Sequence, residues 1–325
     1  MKKIIVGIDV GGTKCAVTSG QIEENDSIRI IKKVVFPTEV TKGNDQTLKH
    51  IFFAIDELLG GKDASDIVAS IGVSCGGPLD SLKGVVLSPP NLPGWDQIPI
   101  VSLLEERYHV KAGLQNDANA CALAEWKYGA GKGYKDVIFL TFGTGMGAGL
   151  ILNNKLYVGA NDMAGEVGHV RLESFGPVGY GKAGSCEGFC SGNGIAQLAR
   201  TKVMEKIQQG IHVAFCPTIG EVSSLTAKVV AEAAMNGDPL AIEVYRICGA
   251  YLGRMLSMLI DILNPQVIVI GSIYVRSKDL IEPEMVRVIE KETLSYSRSV
   301  CKIVPAGLGE KIGDIAALSV ASYLL

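Results

Sequence analysis

Apolar residues in this chain gather into short runs that end in glycine-rich turns, and the runs alternate between a strand period and a helical one. Residues 4–8 form a buried-strand pattern, Gly11-Gly12 a turn, and residues 15–18 a returning strand. Residues 47–59 (TLKHIFFAIDELL) repeat their apolar positions at helical spacing until Gly60-Gly61 stops them. A further apolar strand over 67–73 ends in Cys75-Gly76-Gly77-Pro78. The segment 88–99 (SPPNLPGWDQIP) carries four prolines and one glycine, which predicts an ordered loop. From Leu103 a helix resumes, residues 112–114 form a short strand, and after Asn116-Asp117 the residues 118–128 return to helical spacing.

The second half opens as the first did. Residues 137–140 read as a strand, TFGTGMG as a turn and residues 148–152 as the return. DVGGTKCAV at 9–17 and TFGTGMGAGL at 141–150 share this strand, glycine turn, strand order, which predicts two related lobes. Helices follow over 193–209, 222–235 and 239–263, the last running into Asn264-Pro265 and a strand over 267–270 that ends in Gly271-Ser272. Such alternation predicts an α/β fold with binding loops at the strand ends.

Length sharpens this picture, because 325 residues exceed what one hydrophobic core usually spans. Apolar residues make up 47% and charged residues 20%, an ordinary soluble balance. A net charge of -3 with dispersed lysines and arginines predicts no nucleic-acid partner. No apolar stretch suits a membrane span, and the N-terminal apolar run reaches Asp9 too soon for a signal-peptide core. Eight cysteines in so apolar a chain are expected to be reduced, in a cytoplasmic protein, with Cys15, Cys75, Cys121 and Cys248 buried.

Candidate chemistry concentrates at the two glycine turns. Asp9 stands at the tip of a strand before Gly11, Gly12, Thr13 and Lys14. Turn N–H groups can cradle phosphate, and a carboxylate beside them suits Mg²⁺, directly or through water. Thr141, Gly143, Thr144 and Gly145 offer a second cradle. Either alone could be an ordinary hairpin, and neither has the spacing of a Walker loop or a dinucleotide fingerprint. Asp117, at the first turn of a helix, could be a simple cap or a carboxylate held ionised by N-terminal N–H groups and able to accept a proton. By spacing alone, Glu166 and Glu187 would be surface carboxylates. Among the four histidines, His169 alone sits in a glycine-rich, acid-bearing setting.

An ordered series of motifs resembles the ROK family of sugar kinases, within the actin and sugar-kinase superfold. It runs through GIDVGGTK at 7–14, SCGGPLD at 74–80, NLPGW at 91–95 and QNDANACALAEWKYGAG at 115–131. It continues through TFGTGMGAGLILNNKLYVGANDMAGEVGHV at 141–170 and CEGFCSGNGI at 186–195 to the Gly271-Ser272 pair. The resemblance implies a two-lobed, actin-like or ribonuclease H-like α/β ATPase fold with an interlobe cleft. The first lobe would span 1–116 and regain 308–325, and the second would span 117–307.

It further implies ATP-dependent phosphorylation of the primary hydroxyl of a hexose. Glucose is the default acceptor; N-acetylmannosamine, N-acetylglucosamine, allose and fructose stay open. In that scheme Asp117 is the general base, and Asn91, Asn116, Asp117, Glu166, His169 and Glu187 hold the sugar. ATP and Mg²⁺ would be held by Asp9, Gly11, Gly12, Thr13, Lys14, Thr141, Gly143, Thr144 and Gly145, with Gly271 and Ser272 beside the adenosine. A homodimer or higher homo-oligomer is expected. The alternative of another class is a catalytically silent sugar sensor.

One departure stands out. Many family members bind a structural zinc through a histidine and three cysteines, but Val178, Tyr180 and Ser185 occupy the three thiolate positions here. No family-type zinc is therefore expected, and Tyr180 would pack where the metal sits. A relocated site on Cys186, Cys190 and His169 would lack a fourth ligand.

Overall fold

The computed structural model describes residues 3–24 and 26–325, the side chain of Lys42 excepted. The chain divides into two compact units. One comprises Met1–Lys135, Gly149–Ala164 and Gly307–Leu325; the other comprises Asp136–Ala148 and Gly165–Ala306.

The first unit is built on strands β1 (Ile4–Val10), β2 (Lys14–Ile22), β3 (Ile28–Pro37), β4 (Val68–Cys75) and β5 (Ala112–Asn116), in the order β3-β2-β1-β4-β5. β1 pairs antiparallel with β2 and parallel with β4, which pairs parallel with β5. The unbroken apolar run of β1 follows from burial on both faces. Val6, Ile8 and Val10 join a core with Ile51 and Ile55 of helix Asn44–Leu59 and with Ile100 and Leu104 of helix Ile100–Tyr108. Ile5 turns the other way, onto Leu318 and Ala321 of the C-terminal helix Ile312–Tyr323.

That helix lies almost on the sheet backbone. A Cβ at Gly7 or Gly72 would fall inside contact distance of the Leu318 and Ala321 nitrogens, so glycine is required for the approach. The same helix packs along helix Asp117–Tyr128. The boundary read from the sequence put that helix in the second lobe; here it belongs with the first unit. Its buried Glu125 reinforces this, accepting hydrogen bonds from the N–H groups of Ala130 (2.8 Å), Gly307 (3.1 Å) and Leu308 (3.0 Å).

The second sheet runs β8-β7-β6-β9-β10, with β6 (Val137–Phe142), β7 (Met146–Leu152), β8 (Lys155–Tyr157), β9 (Val267–Ile270) and β10 (Lys302–Pro305). β9 pairs parallel with both β6 and β10. The order repeats that of the first sheet strand for strand: a glycine hairpin, a third strand beyond it, and two parallel strands on the other side. Helix Pro239–Leu263 of the second unit begins at Asp238, whose carboxylate accepts from Leu240 N and Ala241 N, with Pro239 at its first position. It packs against helix Ile273–Glu292. Among the described residues no helix is long and apolar enough to cross a membrane.

Candidate active site

In the first unit, three adjacent strands end together. Register pairs Asp9 of β1 with Ser74 and Val10 with Cys75 of β4, and Cys75 with Asn116 of β5. Asp9, the Gly76-Gly77 turn and Asp117 therefore gather at the carboxyl ends of parallel strands, where α/β folds place ligands. The hairpin after Asp9 is closed by Gly11 N–H to Lys14 O (3.1 Å) and braced by Thr38, whose hydroxyl donates to Gly11 O (2.5 Å) and whose N–H donates to Thr13 O (3.0 Å). Asn91 lies over this turn. Its backbone oxygen leaves no room for a Cβ on Gly12, and its side-chain amide sits against Gly76. The proline-rich loop holds that position through buried Trp95 and the Ser88 N–H to Trp95 O bond (2.9 Å).

Burial raises the Asp9 carboxyl from 3.8 to about 6, with further upward pressure from Asp117 and Asp314 and partial relief from Lys33 and Lys14. Asp314 is itself bound to Lys33 at 2.6 Å. Neither Asp314, Lys33 nor Thr38 was named from the sequence. The C-terminal segment was placed in the first lobe, but one acid in an apolar helix gives no sign that it faces a strand end.

Asp117 opens the helix Asp117–Tyr128, while Asn116 serves as the cap, its side-chain oxygen accepting from Asn119 N at 2.7 Å. The capping role considered for Asp117 thus falls to its neighbour. Asp117 accepts from Ala118 N at 3.0 Å. Asp117 is exposed at the surface, while its carboxyl is crowded on the inner side by protein atoms. That burial outweighs the N–H bonds and raises its pKa above the usual carboxylate value.

In the second unit the glycine hairpin between β6 and β7 is closed differently. The Thr141 hydroxyl accepts from Gly147 N (2.9 Å), Gly143 N donates to Gly145 O (3.1 Å), and Gly192 N donates to Gly143 O (2.8 Å). Thr141 is thereby engaged in the turn itself, while Thr144 is exposed at its tip. Gly143 faces the Ser272 hydroxyl across the ends of β6 and β9. Ser272 has φ 52° and accepts from Arg276 at 3.3 Å, a cation the sequence reading did not single out. Gly271 is buried against the Phe139 ring.

Glu187 is tied to this hairpin. Its carboxylate accepts from Met146 N at 3.0 Å, and a Cβ at Gly145 would stand 2.6 Å from Glu187 Oε2. Glu166 and His169 flank the short helical turn Val167–His169, which lies against β7: Ala148 N donates to Gly165 O at 2.9 Å, and Gly168 packs on Met146 O and the Glu187 side chain. Glu166 and His169 are exposed, and the His169 ring stands 6.2 Å from the Tyr180 ring, edge to face. The structure therefore brings Glu166, His169 and Glu187 onto one surface of the second unit.

Tyr180 departs from expectation. It does not pack inward but is 77% exposed at the tip of the hairpin Val178–Gly179 and Lys182–Ala183. Ser185 caps the turn Cys186–Phe189 by accepting from Gly188 N (3.1 Å). Cys186 and Cys190 are buried, their sulfurs against Met146 Sδ (3.4 Å) and Cys248 O (3.6 Å). All eight cysteines are free thiols; Cys121 is half-buried where full burial was expected. Among the described residues no group of three or more His, Cys, Asp or Glu side chains is arranged to hold a metal ion.

The sequence that folds into these two like sheets matches a known family over nearly its whole length: the ROK family model covers residues 5–323. The chain belongs to the ROK family. It is similar to the glucokinase of Streptomyces coelicolor, 29% identical over 320 residues that cover 98% of this chain and 97% of that enzyme. It also resembles the DNA-binding transcriptional repressor Mlc of Escherichia coli, 28% identical over 235 residues, 72% of this chain and 56% of the repressor. Among solved structures, the ROK family glucokinase from Streptomyces griseus in complex with glucose and AMPPNP superposes with a TM-score of 0.74 at 28% identity, covering 98% of this chain and 99% of that one. The two-lobed α/β architecture expected from the sequence is thus the family's own.

Proposed function

We propose that this ROK protein transfers the γ-phosphoryl group of ATP to the primary hydroxyl of a hexose, with glucose as the first acceptor to test. The observation that carries the reading is Asp117, a carboxylate of raised proton affinity on the first turn of a helix, gathered with Asp9 at the ends of parallel strands. A carboxylate whose proton affinity is raised by burial takes a hydroxyl proton more readily than an ordinary one does. Phosphoryl transfer asks for little more than such a base, positioning, and charge stabilisation.

The remaining roles follow residue by residue. Asn91, Asn116, Glu166, His169 and Glu187 are assigned to the sugar hydroxyls, for which amides, imidazole and carboxylates supply both donors and acceptors. The hairpins at Gly11-Gly12 and Gly143–Gly145 are assigned to the phosphates, and Gly271-Ser272 to the adenosine side. The donor set fits Mg²⁺: Asp9 offers a half-buried carboxylate beside a turn, and this ion characteristically takes one or two carboxylates with phosphate and water making up the rest. When bound, Mg²⁺ would offset charge on the transferring phosphoryl group. Similarity to glucokinases supports the sugar and nucleotide class.

The same similarity extends to a repressor, which favours a second reading, a sugar sensor without catalysis. Retention of both Asp9 and Asp117 counts against it. N-acetylmannosamine, N-acetylglucosamine, allose and fructose are the alternative acceptors, and a homo-oligomer the expected assembly. The test is ADP release with Mg-ATP across glucose, mannose, N-acetylmannosamine, N-acetylglucosamine, allose and fructose. Sugar-dependent turnover supports the kinase; sugar and ATP binding with no turnover supports the sensor.

A further inference from the structure

The segment that carries Tyr180 is rigidly fixed at its base and bare at its tip. Val178 is clasped on both backbone groups by Gln197, its N–H donating to Oε1 (3.0 Å) and its oxygen accepting from Nε2 (2.8 Å). Gly179 is pressed onto the backbone and side chain of Glu187 and Gly188, with no room for a Cβ. On the return strand, Ala183 O accepts from Arg171 (2.7 Å), and Lys182 Nζ donates to His169 O (2.8 Å). Two residues assigned to the sugar, His169 and Glu187, therefore form the floor on which this hairpin stands.

Its tip presents an aromatic ring to solvent in a backbone conformation that suits glycine. Tyr180 has φ 44°, in the left-handed region that bulky side chains avoid, although glycine follows at once at position 181. A large exposed ring in a disfavoured conformation is a poor choice for stability alone. Tyr180 offers an apolar surface with a polar rim, 6.2 Å from the His169 ring and set nearly at right angles to it (77°). A pyranose needs that combination: hydrogen-bond partners around its edge, and an apolar cover for the face where its axial C–H groups point.

We infer that Tyr180 is a specificity-determining residue of the sugar site, its ring covering the C–H face of a hexopyranose whose hydroxyls are held by His169 and Glu187. The inference rests on the sugar-kinase reading above and adds to it the residue that selects a pyranose. Because the ring is 77% exposed, its removal is expected to cost the fold little.

The experiment pairs Tyr180→Gly with Tyr180→Phe, reading glucose affinity by calorimetry and KM and kcat by ADP release. For Tyr180→Gly the expected result is a glucose Kd and KM raised about tenfold, a kcat within twofold of wild type, and a thermal midpoint equal to or above wild type as the strained backbone relaxes. Tyr180→Phe, which keeps the ring, should match wild type. Wild-type glucose turnover with unchanged glucose affinity in Tyr180→Gly overturns the inference and leaves the kinase reading standing. Absence of binding and turnover in the wild type with every sugar of the panel overturns both.

Discussion

The two glycine hairpins occupy the same place in sheets of the same order, yet they are equipped for different chemistry. The first ends a strand in Asp9 and is surrounded by Asp117, Asp314 and Lys33, charged groups close enough to shift one another's proton affinity. The second has no acid of its own. Its threonine closes the turn, its Met146 N–H is held by Glu187, and its neighbours are the Ser272 hydroxyl and Arg276. One backbone device is thus set among interacting carboxylates in one unit, and among neutral donors and Arg276 in the other. Function resides in what the strand ends carry, not in the fold they share.

Breaking the first hairpin's chemistry should have the largest effect. Asp117→Asn keeps the shape and removes the base, so kcat should fall by about 10² to 10⁴ with sugar binding little changed. A steady-state comparison of ADP release with calorimetric sugar affinity reads both. In the second unit, Glu187→Ala deletes an acceptor from the Met146 amide and from the sugar together. Loss of a charge-assisted hydrogen bond predicts a sugar KM raised by about 10 to 100-fold. Gly145→Ala should do the same more gently, roughly several-fold, because the new Cβ displaces the Glu187 carboxylate without deleting it. Should Gly145→Ala prove silent, Glu187 is not held by the turn as described.

The smallest effect is one of pH. Asp9 has a folded-state pKa of about 6 against 3.8 unfolded, so between these values the native protein binds more protons. Its contribution to stability therefore falls as pH rises through that window. Asp9→Asn should gain on wild type between pH 4 and 7 without Mg²⁺, by on the order of 1 kcal/mol once partial exposure is discounted. Thermal unfolding across pH measures it, and parallel curves for the two proteins would contradict the assigned shift.

Legibility from the sequence followed burial. β1 and β9 have continuous apolar runs and were read as strands, as was the long helix Pro239–Leu263 with its Pro239 start and Asn264-Pro265 stop. β3 was missed because it is an edge strand whose apolar residues Ile28, Ile30, Val34 and Phe36 are only half-buried, and a register shift at Ile31 breaks their alternation. The helix Ile273–Glu292 was hidden by Pro283 and by the kink at Ser277. The helix read over 222–235 is a short turn, Ile219–Ser224, then a restart at Ala227, because the Thr226 hydroxyl caps Val229 N. At the site, motif residues were found but their partners were not. Nothing in the order of residues says that Asn116 caps its own helix, that Lys33 reaches Asp314, or that Tyr180 faces outward. The cap is a local choice between two adjacent polar residues, and the Lys33–Asp314 pair is closed across 281 residues.

The proposed reaction delivers the phosphoryl group to a primary hydroxyl. Proton-coupled ³¹P spectroscopy of the product formed from Mg-ATP and glucose answers this directly. The expected result is a phosphomonoester signal split by two protons, the mark of a primary carbon, growing in step with ADP. Inorganic phosphate alone, or an ester split by a single proton, would contradict it.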